Sequence, residues 1–93
     1  MLEKHVEKAL VHEAQKHNVL CWKFVSPSTA GVADRILIGP TGDMGFIEVK
    51  RPGGKRTPLQ LRFAEMVTRR GIFYQCVENP DQAKAAIQSF LLI

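Results

Sequence analysis

Residues 31–50 read Gly31-Val32-Ala33-Asp34-Arg35-Ile36-Leu37-Ile38-Gly39-Pro40-Thr41-Gly42-Asp43-Met44-Gly45-Phe46-Ile47-Glu48-Val49-Lys50, and this stretch decides the fold. Ile36-Leu37-Ile38 is a continuous apolar run, the pattern of a strand buried on both faces. Pro40-Thr41-Gly42-Asp43 has turn chemistry, so the strands on either side of it form a hairpin. Along the second strand the side chains alternate between faces. Ile47 and Val49 point one way, and Phe46, Glu48 and Lys50 the other. Glu48 and Lys50 become neighbours on one face, with Asp34 supplied from the start of the adjacent strand. Two carboxylates beside an ammonium suit a hard metal ion and place a proton-transfer group next to it. The competing reading is an ordinary ion pair on an exposed sheet. Glu-x-Lys alone carries no information, and Asp34 alone could be a turn residue.

Downstream, Arg51-Pro52-Gly53-Gly54-Lys55-Arg56 is flexible and strongly basic. Thr57 has the chemistry of an N-cap and Pro58 that of a first helical residue. The helix is expected to run to about Arg70 and stop at Gly71, with Leu59, Phe63, Met66 and Val67 as its buried stripe. Gln60, in its first turn, reads by itself as an exposed polar residue. A further strand follows over Ile72–Val77. Asn79-Pro80-Asp81 opens a last helix in which Ala83, Ala86, Ile87, Phe90 and Leu91 keep helical spacing. The ending Phe90-Leu91-Leu92-Ile93 is apolar enough to predict core packing and a subunit interface.

Upstream, Leu2 to His17 reads as a helix with Leu2, Val6, Ala9, Leu10 and Ala14 along one stripe. Glu3 and Glu7 border that stripe one turn apart, and each alone is explained as a solvated acid near a positive helix N-terminus. His5, His12 and His17 lack the partners and spacing of a structural zinc set. Leu20 to Val25 is a strand in which Lys23 reads as a surface lysine. The polar loop Ser26–Gly31 leads into Asp34, and Arg35 is placed either to bind phosphate or to pair with a carboxylate. The resulting order, α-β-β-β-α-β-α over a single domain of residues 1–93, is an α/β fold with a small mixed sheet flanked by helices.

Three segments together, Gly31-Val32-Ala33-Asp34-Arg35, Phe46-Ile47-Glu48-Val49-Lys50-Arg51-Pro52-Gly53-Gly54-Lys55 and Pro58-Leu59-Gln60, resemble the virus-type replication-repair nuclease (VRR-Nuc) family. That family belongs to the PD-(D/E)xK nucleases, and the resemblance extends from Glu3 to about Ile87. It implies a restriction-endonuclease-like core and a site in which Asp34, Glu48 and the Val49 carbonyl bind Mg²⁺ or Mn²⁺. By the same resemblance Lys50 acts on water and phosphate, a glutamate of the first helix (Glu3, with Glu7 as rival) completes the site, and Gln60 contacts the nucleophilic water or the lysine region. Small free-standing members resemble dimeric nucleases that cut four-way (Holliday) junctions, leaving 5′-phosphate ends. The chain departs from the family in having Ala33 where proline usually precedes the aspartate. Proline there shapes backbone and supplies no ligand, so alanine is expected to be tolerated.

Charge placement agrees with a nucleic-acid substrate. Net charge is +4, yet residues 50–70 hold seven cations (Lys50, Arg51, Lys55, Arg56, Arg62, Arg69, Arg70) against Glu65 alone, so the rest of the chain is net acidic. A basic band directly after an acidic site attracts a phosphodiester backbone and puts the metal at the bond. Arg35, Arg51, Lys55 and Arg56 are the candidate DNA contacts. Ninety-three residues leave no room for a separate sequence-reading domain, so recognition is expected through phosphates and DNA shape. The apolar runs are too short to span a membrane, the N-terminus lacks a signal-peptide pattern, and Cys21 and Cys76 lack metal-ligand spacing. These features predict a cytoplasmic protein with reduced thiols, phage or prokaryotic by the resemblance. A non-catalytic DNA-binding module and a small interaction protein are the alternatives. The first would keep the basic band without a metal, and the second would need neither.

Overall fold

Val6, Leu10 and Ala14 are spaced by four residues and fully buried, which gives α1 (Glu3–Lys16) its core-facing stripe. It is followed by β1 (Leu20–Lys23), β2 (Arg35–Ile38), β3 (Met44–Val49), α2 (Pro58–Arg69), β4 (Phe73–Val77) and α3 (Pro80–Phe90), the order expected from the sequence. The structure, a computed structural model, describes residues 1–93. The sheet has the order β1-β2-β3-β4. β1 and β3 each pair antiparallel with β2, while β3 and β4 run parallel. A parallel pair needs a crossover, and α2 supplies it. The expected hairpin joins β2 to β3, its turn closed by Gly39 N–H donating to Asp43 O at 2.7 Å.

Alternation divides the sheet into two unequal faces. Leu37, Ile47, Val49 and Val77 pack with the stripes of α1 and α3 into the main core, which includes Leu10, Ile87 and Phe90. On the other face Ala33, Phe46 and Phe63 form a smaller cluster beneath α2, with Phe24, Ile36 and Tyr74 against it. Phe46 and Phe63 meet edge to face with centroids 5.2 Å apart. The face carrying Phe46 and Glu48 is therefore covered by a helix.

Helix ends follow their local chemistry. Thr57 Oγ1 accepts from Gln60 N–H and Asn79 Oδ1 from Gln82 N–H, and Gly71, at φ +76°, stops α2. Other expectations change. α2 buries Phe63 and Ala64, whereas Leu59 and Met66 lie mostly outside, because the helix meets the sheet over Phe46 with its middle. Leu37 is buried while Ile36 and Ile38 are only half-buried, so β2 is not enclosed on both sides. Leu20, Trp22 and Met44, on the α2 side by register, remain exposed where the short helix does not reach. The apolar C-terminus splits. Phe90 is buried against Phe73 and Leu91 half-buried, leaving only Leu92 and Ile93 exposed. Cys21 and Cys76 are free and half-buried.

Candidate active site

Asp34 is fixed by its backbone before its side chain acts. Its N–H donates to Ile47 O at 3.1 Å and its carbonyl accepts from Phe24 N–H at 2.9 Å, so it extends the β2 ladder by one residue on both sides. Its Oδ2 accepts from Val49 N–H at 2.7 Å, a short, charge-assisted contact. In an extended strand the N–H and C=O of one residue leave from the same edge, so the Val49 carbonyl opens on the side where Asp34 sits.

Glu48, one residue earlier, projects beneath α2 and is 1% exposed. Gln60 Nε2 donates to its Oε2 at 3.2 Å, and its Oε1 is buried without a hydrogen-bond partner. Burial pushes the Glu48 carboxyl up to about 8, the neighbouring Asp34 carboxylate adds to the push, and Lys50 opposes it. Lys50 is half-buried and returns to Glu48's face by alternation, its own N–H donating to Val77 O at 2.8 Å.

These groups stand at the C-terminal ends of the parallel strands β3 and β4, the usual place for ligands in α/β sheets. Helix termini converge there. α1 turns into β1 within a few residues, Asn18 taking the left-handed conformation at φ 56°. Because β1 runs in the direction of β3, the N-terminus of α1 lies at the Glu48 end, and Glu3 adds to the negative potential on Glu48. Its rival Glu7 is engaged elsewhere, accepting from Arg35 Nε at 2.9 Å. Arg35 also donates from Nη1 to Cys21 O at 3.1 Å, and register puts it on the α1 side, across the sheet from Glu48. Of its two expected roles, Arg35 takes up the pairing with a carboxylate, that of Glu7.

The loop before Asp34 closes the site laterally. Gly31 sits at φ +86°, and a Cβ there would come within 2.6 Å of the Leu59 backbone, so the loop lies directly on the first turn of α2. Ala33, at the family's proline position, is fully buried with Phe46 and Phe63. Arg51 and Lys55 are exposed and Arg56 is partly buried. The largest groove, about 440 Å³, is lined by Lys4, Glu7, Lys8 and Arg35 among others and does not include the paired acids.

One polar residue escaped the sequence reading. Glu13, on α1, is buried and accepts from Lys16 Nζ and Gln88 Nε2, which ties α1 to α3. Gln60, which by itself reads as surface and which the resemblance puts at the site, is brought to Glu48 by the packing of α2.

A solved structure described as "VRR_NUC domain" matches with a TM-score of 0.86 and 29% sequence identity, over 92% of this chain and 94% of that one. This is the VRR_NUC fold. A protein of Acyrthosiphon pisum secondary endosymbiont phage 1 named "Putative nuclease p44" is 48% identical over 60 residues, 64% of each chain. The chain thus spans just under two thirds of that relative's length. No family model matches the chain.

Within the VRR_NUC fold, the donor set fits a hard divalent cation. Asp34, Glu48 and the Val49 carbonyl all offer oxygen atoms, the donor type such an ion takes. The unpartnered Oε1 of Glu48 and the raised affinity of Glu48 for a proton mark a place where positive charge is wanted. No group of three His, Cys, Asp or Glu side chains converges, so further ligands would be water and phosphate oxygens, as magnesium prefers.

Proposed function

We propose that this chain is a divalent-metal-dependent DNA endonuclease selective for branched DNA, four-way junctions above all, and that it works as a homodimer. The observation that supports it best is Glu48, buried beside Asp34 with one oxygen unsatisfied and Lys50 next on the same face. Asp34, Glu48 and the Val49 carbonyl would hold Mg²⁺ or Mn²⁺. Such an ion, when bound, would supply Lewis-acid polarisation of the scissile phosphate and a lowered pKa for a water it carries. Lys50 orients that water, accepts or relays its proton, and offsets charge developing on the phosphate. Gln60 keeps Glu48 Oε2 in place, and Glu3 approaches from α1. Arg51, Lys55 and Arg56 bind phosphates along the backbone. Arg35, paired with Glu7, anchors α1 to the hairpin.

A junction presents paired strands, and a two-fold dimer presents paired sites. Leu20, Trp22 and Met44, exposed together on one sheet face, offer the apolar surface for such a dimer, with Leu92 and Ile93 beside the smaller contribution of the C-terminus.

The test is a cleavage panel of junction, flap, splayed and linear DNA with Mg²⁺, with Mn²⁺ and with chelator, run for wild type and Lys50→Met. Metal-dependent cutting is expected, fastest on the junction. Lys50→Met is expected to bind Mn²⁺ in calorimetry and to cut little. Cutting in chelator at the full rate, or a wild-type rate in Lys50→Met, would overturn the mechanism.

A further inference from the structure

The charge that α1 shows to solvent differs from the charge it carries. The helix holds Glu3, Glu7 and Glu13 against Lys4, Lys8 and Lys16, an even balance, but packing removes two of the acids from the surface. Glu7 accepts from Arg35 Nε at 2.9 Å. Glu13 is buried and accepts from Lys16 Nζ at 3.3 Å and from Gln88 Nε2 at 2.9 Å. Lys4 and Lys8 are exposed and belong to none of the ion pairs of the protein. The solvent side of α1 is therefore basic, although the residues outside 50–70 sum to a negative charge.

That side of the helix is also grooved. Lys4, Lys8, His12 and Gln15 recur at helical spacing and line the groove of about 440 Å³ to which the sheet contributes Arg35. A second groove, about 360 Å³, follows the other flank of α1 towards α3, where Lys8 and His12 are joined by Lys84. Arg35 is held in place from within the protein, Nε donating to Glu7 and Nη1 to Cys21 O at 3.1 Å. Its remaining N–H groups are not used by the protein, so the groove has a preorganised donor. One end of the groove lies by the acid site, because Lys4 follows Glu3 and Arg35 follows Asp34. From Lys4 to Gln15 the helix rises about 16 Å at roughly 1.5 Å per residue, which is the length of about five nucleotides of one duplex strand at about 3.4 Å each.

We infer that this groove binds the sugar-phosphate backbone of a second DNA arm, one that leaves the acid site along α1. Lys4 and Lys8 supply charge, Arg35 supplies fixed hydrogen-bond donors, and Gln15 adds an amide at the far end. Glu7 does not repel the strand, because Arg35 offsets its charge. The basic loop Arg51–Arg56 leads from β3 to α2, on the sheet face opposite to α1. A straight duplex laid on one face does not reach the other, whereas a branched molecule has an arm for each. This inference rests on the nuclease reading above and adds to it the surface that tells branched DNA from linear.

Lys4→Gln combined with Lys8→Gln tests it, because both side chains are exposed and the variant is expected to melt with wild type. Arg35 stays in place, since its loss would also strip Glu7 of its partner. Binding is measured with Ca²⁺ over a series of salt concentrations, on a four-way junction and on a linear duplex the length of one arm. On the junction, affinity is expected to fall and the slope of log affinity against log salt to flatten by about 1.8, two contacts at about 0.9 each. On the linear duplex little change is expected, because the loop with Arg51 and Lys55 is intact. An unchanged junction slope overturns the inference, and so does an equal loss on both DNAs. An unchanged slope with loss of the dimer mass in light scattering also overturns it and assigns the groove to a second copy of the chain. If wild type binds the junction but cuts it with neither Mg²⁺ nor Mn²⁺, the nuclease reading falls, and the two slopes still decide what the groove holds.

Discussion

Gln60 Nε2 donates to Glu48 Oε2 at 3.2 Å while Gln60 Oε1 accepts from Thr57 N–H at 2.8 Å. One side chain thus closes the capping box of α2 and fixes one oxygen of a buried acid, so the start of the helix and the orientation of the acid depend on each other. Gln60→Ala is expected to lower stability by about 0.5–2 kcal/mol through the lost cap. Mn²⁺ affinity should fall roughly 10–100-fold, as when other partners that orient metal ligands are removed. Thermal melting and calorimetry check the two effects separately. A normal Mn²⁺ affinity with a lowered melting point would confine Gln60 to the helix.

Glu48 ties stability to pH. Its carboxyl is raised from 4.5 to about 8 in the folded protein, by burial first and Asp34 second. The folded state therefore holds this proton more tightly than the unfolded chain does. Glu48 leaves stability intact below the ordinary value and erodes it as pH rises towards 8. In chelator, wild-type melting should fall across that window, and Glu48→Gln should be flatter and more stable at its upper end. The same substitution should abolish cutting. A wild-type melting point that climbs through the window would contradict this account of Glu48.

Arg51 and Lys55, exposed on the loop between β3 and α2, should set the salt dependence of DNA binding. Replacing both with alanine is expected to weaken binding to every sequence alike. The slope of log affinity against log salt should flatten by about 0.9 per lost phosphate contact on duplex DNA. Binding titrations at several salt concentrations measure this, and an unchanged slope would make the pair merely solvated.

The dimer should depend on the exposed face of β1 more than on the C-terminus. Burying a Trp22-sized side chain contributes roughly 1.5–3 kcal/mol, counted twice across a two-fold axis, against an association cost of several kcal/mol. Light scattering of wild type should give about twice the 10.4 kDa chain mass. Trp22→Asp should give the monomer and cut junctions slowly, while Leu92→Asp should do less harm. A monomeric wild type that cuts paired strands together would remove the dimer from the mechanism.

Much of this fold was legible because its signals are local. The turn at Pro40–Asp43, the cap at Thr57, the stop at Gly71 and the spacing of Val6, Leu10 and Ala14 each depend on a few neighbouring residues, and each forms as expected. The acids Asp34 and Glu48 were legible because strand alternation and one hairpin bring them together. Where the reading failed, the missing information was distance along the chain. Leu59 and Met66 have the spacing of a buried stripe, but nothing in that spacing says where the helix crosses the sheet. Glu13 looks like any solvated helical acid until Gln88, 75 residues away, hydrogen-bonds to it.

By itself, the sequence determined the order of elements, the hairpin, the pairing of acids with a lysine and the basic band after them, because these follow from period, turn chemistry and charge within short stretches. Only the tertiary structure decided that Glu7 belongs to Arg35. It alone buried Glu48 beneath α2 and left Trp22 in solvent. Those outcomes depend on which faces meet when helices pack on a sheet, a relation among residues far apart in the chain that no local pattern encodes.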